Sequence, residues 1–346
     1  MPSSPAWADL VLVAIDEDRI DALRLAKLGA LVRAHFGYAG GTPHSFLGGA
    51  VQQAGSSAWV LLVDDPVGHV GRALLWADRH DVDELHLLVD ESDETAQVVA
   101  RRTVPFDLSA STARVDGADL TPVEAAGYPP AAQPPADAVQ FAPTLAAAGL
   151  EIVIEHGVVT GEYLGLEVAR VVIDHEGARL EVGVGRHDRL AGRIVNDDVP
   201  TDEALGAAVA AVSEVRDSGV GPHPLNRLAR ERWVRAMVSA QPDLLDADRV
   251  EPVEPGRPRE SLLDRRAAHG LAVDGDGARR LVSCSAGVDL ELVAEAADVR
   301  EREAPDHEEL VLVLPDDAPN PVLDRLVDRL RRPARLVTVA PPWMAC

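Results

Sequence analysis

Cysteine is scarce in this chain, which carries only Cys284 and Cys346 among its 346 residues. Two distant thiols do not build a disulfide framework, and they do not supply the sulfur ligands of a structural zinc site. The eleven histidines add no zinc signature, because none of them stands in His-x-x-x-His or His-Glu-x-x-His spacing. The sequence therefore favours a reducing compartment and disfavours a small domain held together by zinc or disulfides.

Long apolar runs are missing as well. No stretch reaches the roughly 18 apolar residues that a membrane-spanning helix needs. The apolar stretch 10–15 has no basic segment before it and is followed at once by Asp16, Glu17 and Asp18, so it is too short and too acidic for a signal peptide. We expect a soluble cytoplasmic protein with no membrane partner.

Positive charge is in short supply. The chain has 33 Lys and Arg residues against 57 Asp and Glu residues, a formal net charge of -24 and a pI near 4.7. An acidic field repels phosphate groups at long range, so nucleic acids and anionic membranes are unfavourable partners. A helix predicted over 225–238 is a local exception, with Arg227, Arg230, Arg232 and Arg235 around Trp233. These arginines either bind an anionic partner or, as is more common, pair with acids elsewhere in the chain.

The chain does contain a repeated pattern of strands and helices. Strand, helix, strand, helix and strand are indicated at 59–63, 69–79, 84–89, 94–102 and 113–115, and again at 281–284, 290–300, 309–314, 321–331 and 335–339. Apolar strands that alternate with helices are typical of parallel sheets covered on both faces. The sequence therefore predicts an α/β fold with two similar βαβαβ, Rossmann-like halves, in which strands 84–89 and 309–314 are central and buried.

Five segments follow from this pattern. They are an N-terminal helical segment at 1–56, the first α/β half at 57–120, a Pro/Ala-rich linker at 121–148, an inserted β-hairpin with helices at 149–276, and the second half at 277–346. The Pro-rich part of the linker, 121–145, is expected to lie on the surface without regular structure, because prolines recur among alanines there.

Charged residues concentrate in the inserted β segment. Glu155, Glu167, Glu181 and His187 lie within 151–190, where carboxylates and imidazoles on adjacent strands could act as general acids and bases or hold Mg²⁺ or Mn²⁺. We take these four residues as candidate catalytic residues.

The register of the hairpin decides whether these side chains meet. A three-residue turn at 175–177 places Glu167 and Glu181 on one open face, which is floored by Ala169, Gly183 and Gly185 and has His187 at its rim. A two-residue turn at 176–177 moves Glu167 to the opposite face and leaves Arg170 beside Glu181 as an ordinary ion pair. Both alternatives are compatible with the sequence.

The order of acids along this hairpin resembles that of restriction-type nucleases, which carry an Asp followed by Glu-x-Lys on the next strand. The resemblance covers only the hairpin, and Gly183 stands where the lysine belongs. Since that cation is missing and the net charge is -24, the sequence disfavours DNA cleavage.

A second candidate site is the turn 283–289, for which we predict Ser283, Ser285 and Gly287 as ligand-binding residues. A turn of small residues between a strand and a helix exposes backbone N–H groups that can bind an anion at the helix N-terminus. Asp289 is the competing group, because its carboxylate can cap the helix itself. The equivalent turn of the first half, 64–68, is acidic, with Pro66 near the first helical position.

Two functions from different classes are compatible with these patterns. The favoured one is a non-catalytic cytoplasmic protein that binds a small molecule or a protein partner, or assembles with itself, and needs no cofactor. The alternative is a hydrolase or phosphodiesterase that uses the acids and histidine of 151–190 with Mg²⁺ or Mn²⁺. The sequence leaves enzymatic activity and homo-oligomerisation open.

Overall fold

The computed structural model describes residues 17–37, 40–175, 177–185, 188–189, 200–217, 223–306, 309–316 and 321–344. The strands are β1 His44–Phe46, β2 Gly49–Ala54, β3 Ser57–Leu62, β4 Glu84–Val89, β5 Ser109–Asp116, β6 Asp119–Val123, β7 Glu151–Glu155, β8 Val158–Tyr163, β9 Leu166–Asp174, β10 Gly177–Val182, β11 Arg249–Val253, β12 Ala268–Val273, β13 Arg279–Cys284, β14 Leu310–Pro315 and β15 Ala334–Val339. The α-helices are α1 Glu17–Phe36, α2 Val70–Arg79, α3 Asp93–Thr103, α4 Ala136–Val139, α5 Ala142–Ala147, α6 Thr201–Arg216, α7 Arg230–Ala240, α8 Leu292–Glu303 and α9 Pro321–Asp328. Short 3₁₀ helices lie at Pro66–His69, Pro224–Arg227, Pro242–Leu245 and Pro342–Met344.

These elements form a mixed α/β fold with three sheets in the described part of the chain. The six-stranded sheet has the order β1-β2-β3-β4-β5-β6, the four-stranded sheet β10-β9-β8-β7 and the five-stranded sheet β11-β12-β13-β14-β15. Strands β3, β4 and β5 run parallel, as do β13, β14 and β15. The remaining pairs are antiparallel, including every pair of the four-stranded sheet.

The central position of β4 and β14 is confirmed, since each has a parallel partner on both sides. All six residues of β14 are buried, which is the environment that its unbroken apolar sequence predicts. The parallel strands are not the whole of either sheet, however. Antiparallel strands β1, β2 and β6 extend the six-stranded sheet, and β11 and β12 extend the five-stranded sheet. These strands are short or rich in glycine and alanine, so their sequences lack the periodicity that identifies a strand.

The two larger sheets enclose a layer of helices. Helices α2, α3, α8 and α9 lie between the sheets and share one apolar core with the inner faces of both. Helix α1 covers the outer face of the six-stranded sheet, where Leu28 and Val32 lie in one cluster with Trp59. Helix α7 covers the outer face of the five-stranded sheet, where Val234 and Val238 lie with Val282. Each of these sheets is therefore covered by helices on both faces.

The prediction that 121–145 has no regular structure is wrong at both ends of the segment. Strand β6 continues to Val123, and α4 and α5 occupy the last part. Strand β6 tolerates Pro122 because it is an edge strand, bonded only to β5. Pro143 stands in the first turn of α5, where a missing N–H costs no hydrogen bond. Between them, residues 124–135 have no regular structure.

The four-stranded sheet has a core of its own. Leu145 of α5 and Leu205 and Val212 of α6 lie in one apolar cluster with Val159 and Val168 of the sheet. Strand β7 lies next to β11, and so the four-stranded sheet meets the edge of the five-stranded sheet. None of the helices in the described ranges has the length and apolar character needed to cross a bilayer.

Helix α2 closely approaches the start of α8. The N–H groups of Gly71 and Arg72 donate to the carboxylate of Glu291, at 2.8 and 3.0 Å. This carboxylate caps the N-terminus of α2 and offsets its dipole. A Cβ atom on Gly71 would lie 2.1 Å from the carbonyl oxygen of Leu290, so only glycine allows this approach.

We predict opposite effects for two glycine substitutions within helices. Gly71→Ala should lower the free energy of unfolding by about 1–3 kcal/mol or more, because the new methyl group meets rigid backbone. Gly206→Ala in α6 should raise it by up to about 1 kcal/mol, because a Cβ there meets nothing within 4 Å. Urea unfolding of both variants measures the difference. Equal effects of the two substitutions would contradict the close contact of α2 with α8.

Candidate functional site

The acidic residues of the four-stranded sheet meet arginines of α7. Arg232 Nη2 lies 2.6 Å from Glu155 Oε2, and Arg232 Nη1 lies 2.7 Å from Glu162 Oε1. Arg235 Nη2 lies 2.7 Å from the other oxygen of Glu162. The side chains of Glu162 and Arg235 are fully buried. Of the two roles that the sequence allowed for the helix arginines, Arg232 and Arg235 therefore have the second, pairing with acids within the chain.

Burial raises the pKa of Glu155, but the charges of Arg232, Arg259 and Arg235 outweigh it and hold that pKa below its ordinary value. The carboxylate is therefore ionised at neutral pH and already neutralised by guanidinium groups. A carboxylate in this state is a poor general base, because its proton affinity is low.

The hairpin register differs from both alternatives in its turn but keeps the parity of the second. Asp174 pairs with Gly177, so Glu181 stands directly opposite Arg170. Along β8 and β9 the pairs step from Glu162 with Glu167 to Gly161 with Ala169, which makes Val168 an extra residue in β9. A β-bulge of this kind reverses the alternation of side chains, so Glu167 lies on the same face as Arg170.

This bulge explains why Glu167 and Glu181 approach each other although the parity alone would separate them. Arg170 bonds Glu167 through Nε and Nη2, at 2.9 and 2.7 Å. Arg189 Nη1 lies 2.6 Å from Glu167, and Arg189 Nε lies 4.0 Å from Glu181. Arg179 Nη2 donates to Glu181 at 2.8 Å. The open face expected beside these acids is occupied by their arginine partners.

The expected floor of small residues is covered at Ala169 and Gly183, while Gly185 lines a cleft. Ala169 is fully buried in the core of the four-stranded sheet. A Cβ atom on Gly183 would lie 2.9 Å from a carboxylate oxygen of Asp188, and one on Gly185 would lie 3.5 Å from Leu262. His187 lies outside the described residues. Within the ranges that are described, no group of three or more His, Cys, Asp or Glu side chains is placed to hold a metal ion.

A cleft of about 560 Å³ opens beside this ion-pair network. We call it the arginine cleft; its lining is formed by Glu167, Arg170, Val184, Gly185, Arg189, Leu228, Ala229, Arg232, Arg259, Glu260, Ser261, Leu262, Leu263 and Asp264. The cleft thus combines four guanidinium groups with an apolar wall of leucines. Its size lies within the range of about 300–1,000 Å³ that is usual for sites that bind small molecules.

Two arginines of the cleft have N–H groups without a hydrogen-bond acceptor. The side chains of Arg232 and Arg259 are only 7% and 9% exposed, and the Nε–H of each has no partner within hydrogen-bond distance. Burial and the charge of Arg232 lower the pKa of Arg259. A buried donor without an acceptor costs about 1–3 kcal/mol. The Nε atom of Arg259 faces the carboxylate of Glu155 at 3.8 Å.

The start of α7 also faces the cleft. Its N-cap residue is Ala229, which has a left-handed conformation with φ of 46° and offers no side chain for capping. The first N–H groups of a helix have no acceptor within the helix, and they carry the positive end of its dipole. In place of an N-cap side chain, the carboxylate of Glu231 in the first turn accepts a hydrogen bond from the N–H of its own residue.

The other wall of the cleft is an arginine-rich loop at 254–267 between β11 and β12, which we call the arginine loop. Arg259 Nη2 donates to the carbonyl of Ala267 at 2.6 Å, and Arg266 Nη1 donates to the carbonyl of Arg257 at 3.2 Å. These bonds fix the loop by its own side chains. In the six-stranded sheet, only Leu47 and Gly48 separate the antiparallel strands β1 and β2. Loops longer than about 12 residues in compact domains usually carry function.

The predicted ligand-binding residues of the turn 283–289 have mixed environments. Ser283 is buried, and its hydroxyl lies 2.7 Å from Nδ1 of His269. The hydroxyl of Ser285 is buried too and donates to the carbonyl of Gly287 at 3.2 Å. Only Gly287 borders open space, since a Cβ there meets nothing within 4 Å. Both serine hydroxyls are therefore engaged within the protein.

This turn does border a smaller cleft. The strand-end cleft, of about 230 Å³, is lined by Asp65, Gly68, Arg257, Asp264, Arg265, Arg266, Val288, Asp289, Glu291 and Glu295. It brings together the turns that follow β3 and β13, which sequence reasoning treated separately. Asp65 caps its own turn through the N–H of Gly68, and Asp289 accepts from the N–H of Glu291 at 2.9 Å. Burial raises the pKa of Asp289 to about 7. Asp65 therefore caps the 3₁₀ helix Pro66–His69, as the sequence indicated, whereas Asp289 bonds the N–H of the N-cap residue Glu291 and does not cap α8 itself.

Comparison with known proteins brings no further evidence: no family, no curated protein and no solved structure matches the chain. The residues that sequence reasoning missed are Arg189 and Arg259, which approach the acids only in the fold. The run Arg257, Arg259, Arg265 and Arg266 was the signal that could have identified the arginine loop.

The low pKa of Glu155 predicts how stability depends on pH. A carboxylate whose pKa is lower in the folded state than its ordinary value of 4.5 contributes stability above that value. This contribution is lost as the pH falls through the pKa of the folded state. Urea unfolding between pH 7 and pH 3 should therefore show a steeper loss for the wild type than for Glu155→Gln. Glu251→Gln, which removes an exposed carboxylate of β11, should follow the wild-type curve; parallel curves for all three proteins would contradict the pairing of Glu155.

Proposed function

We propose that this protein binds a small molecule in the arginine cleft and does not catalyse a reaction there. The observation that carries the proposal is a cleft of about 560 Å³ whose lining combines apolar leucines with guanidinium groups. Sites for small molecules are concave and mostly apolar, with a few polar groups that fix the ligand. The leucines at 228, 262 and 263 supply the apolar part, and Arg232 and Arg259 supply the polar part.

The pairing of the acids supports a binding role over the hydrolase alternative. Glu155, Glu167 and Glu181 each have an arginine partner at 2.6–2.9 Å. Buried ion pairs of this kind are common as structural networks, and each guanidinium group would have to move away before a cation could bind. The four candidate catalytic residues remain a hypothesis of the alternative function.

We further propose that the two larger sheets arose by duplication of one Rossmann-like unit. The orders α1-β1-β2-β3-α2-β4-α3-β5 and α7-β11-β12-β13-α8-β14-α9-β15 agree element by element. Strand directions support the same correspondence, since each series has two antiparallel pairs followed by two parallel pairs. The units would then span about 17–116 and 230–339, and the arginine loop would be specific to the second unit. Separately, we propose that the protein is cytoplasmic.

A fragment screen by ligand-observed NMR tests the binding role. We predict that fragments of a library with neutral and anionic compounds bind the wild type and lose binding in Leu262→Trp, because the larger side chain fills the arginine cleft. Leu244→Trp, at an exposed leucine outside the cleft, should retain them. The proposal would be contradicted if every fragment that binds does so equally to all three proteins, or if no fragment of the library binds the wild type.

Titration with Mg²⁺ and Mn²⁺ separates the two functions. We expect that neither cation gives a heat of binding with the wild type that is absent with Glu181→Ala. A cation that binds the wild type and not this variant would support the hydrolase and contradict a purely structural role for the acids.

A further inference from the structure

We infer that two copies of this protein associate through β15, the edge strand of the five-stranded sheet, whose free side pairs with the β15 of a second copy in antiparallel orientation. The inference goes beyond the binding function proposed for the arginine cleft and does not depend on it. Three observations carry it: the open backbone groups of β15, the lack of protection at this edge, and the strand that covers the same position in the six-stranded sheet.

The backbone of β15 has one bonded side and one open side. Leu310 donates its N–H to the carbonyl of Pro333 at 3.2 Å, and Asp316 donates to the carbonyl of Val339 at 2.8 Å. The bonds of a parallel ladder recur at every second residue, so the odd-numbered residues of β15 bond β14. No strand among the described residues lies on the other side. The residues that direct their N–H and C=O groups to that open side are Ala334, Leu336 and Thr338.

The edge at β15 lacks the protection that the other edges have. Edge strands of monomeric proteins are usually kept from pairing by shortness, proline, charge or a covering element. In the two larger sheets, β1 has three residues, β6 contains Pro122, and β11 contains Pro252 and lies next to β7. Strand β15 has six residues and no proline. Its one charged residue, Arg335, lies 3.3 Å from Asp246 and 3.7 Å from Glu309 of the same chain, so its charge is neutralised locally.

The six-stranded sheet shows which kind of strand this position accepts. There the third parallel strand, β5, has β4 on one side and the antiparallel strand β6 on the other. In the five-stranded sheet β15 is the third parallel strand. After it the chain does not form a hairpin but turns towards α7, where Trp343 contacts Trp233. The place beside β15 is therefore open to an antiparallel strand from another chain.

A second β15 fits this edge because the strand is complementary to itself. When a two-fold axis passes beside Leu336, the two Leu336 residues face each other, and Ala334 faces Thr338 of the second copy. Each such pair can exchange both of its backbone hydrogen bonds. On the other face of the strand, Arg335 then lies opposite Val337, so like charges do not meet. An axis at Arg335 would bring the two guanidinium groups together, and an axis at Val337 would place Ala334 opposite residue 340, beyond the end of the strand.

Analytical ultracentrifugation over a range of protein concentrations tests the association. A contact made by one strand of each copy is small, and small contacts give dimers that dissociate on dilution. We therefore expect a monomer–dimer equilibrium for the wild type. Thr338→Pro should weaken the dimer by about tenfold or more, because each copy loses a donor to the other. The fold tolerates this proline, since the N–H of Thr338 does not bond β14. Thr338→Ala keeps the N–H and should dimerise as the wild type does.

Disulfide cross-linking tests the register. The background is Cys346→Ser, because the remaining Cys284 is fully buried. Leu336→Cys should form a covalent dimer with oxidised glutathione, since directly opposite residues have Cα atoms about 5.5 Å apart, within the reach of a disulfide. Val337→Cys is the matched control, because its side chain is half-buried in the same strand. It should not cross-link, since diagonal neighbours lie roughly 7–8 Å apart.

Three results would overturn the inference. One is a wild type that stays monomeric at every concentration. Another is a dimer that Thr338→Pro leaves as stable as Thr338→Ala does. The third is any cross-linking pattern other than dimers of Leu336→Cys alone. Hydrogen exchange of a monomeric wild type would give the reason, because protected amides at Leu336 and Thr338 would show that another part of the same chain covers the edge.

Discussion

The carboxylate of Glu162 lies between the guanidinium groups of Arg232 and Arg235, and much of the structure depends on this arrangement. The glutamate belongs to the four-stranded sheet, and the arginines belong to the helix that covers the five-stranded sheet. An isolated charge in such a buried place would cost several kcal/mol, so the three groups must remain together. A second link supports the same junction, since Glu254 accepts the N–H of His156 at 2.7 Å and lies 3.2 Å from Arg302. These contacts between charged groups fix the four-stranded sheet, which has its own apolar core, to the five-stranded sheet.

The same network forms the floor of the arginine cleft. Arg232 donates to the glutamates from both terminal nitrogens, while its Nε–H is buried without an acceptor. The arginine is therefore held in place by structural partners where it lines the cleft. This arrangement connects the stability of the junction with the proposed binding function, because a change at Glu162 would also release the arginine that lines the cleft.

The sequence predicted the elements whose signal is local. Strand β4 and helix α9 begin at the expected residues, and β14 lies within one residue of its expected range, because unbroken apolar runs and helical spacing are readable without a fold. The antiparallel strands β2 and β12 were missed. Their glycines and alanines are buried by neighbouring strands, and their sequences have no strand period of their own. The linker prediction failed for a related reason: edge pairing and a first-turn proline accommodate residues that usually interrupt structure.

The candidate site was predictable only in part. A concentration of acids in 151–190 was visible, and its partners were not, because Arg189 and Arg259 reach Glu167 and Glu155 through tertiary contacts. The extra residue at Val168 changes which side chains share a face, and a bulge of this kind leaves no mark in the sequence. In the same way, the turns after β3 and β13 were each identified as helix caps, while their meeting in one cleft follows from how the sheets are arranged.

A double-mutant cycle between Glu162 and Arg235 tests the central interaction most directly. Glu162→Gln, Arg235→Met and the double variant would be unfolded in urea beside the wild type. If the pair is a buried ion pair that joins the sheets, each single substitution leaves an uncompensated charge, and the coupling free energy should be about 2 kcal/mol or more. Effects of the two substitutions that add to within about 0.5 kcal/mol would show that the groups act independently and would contradict the account.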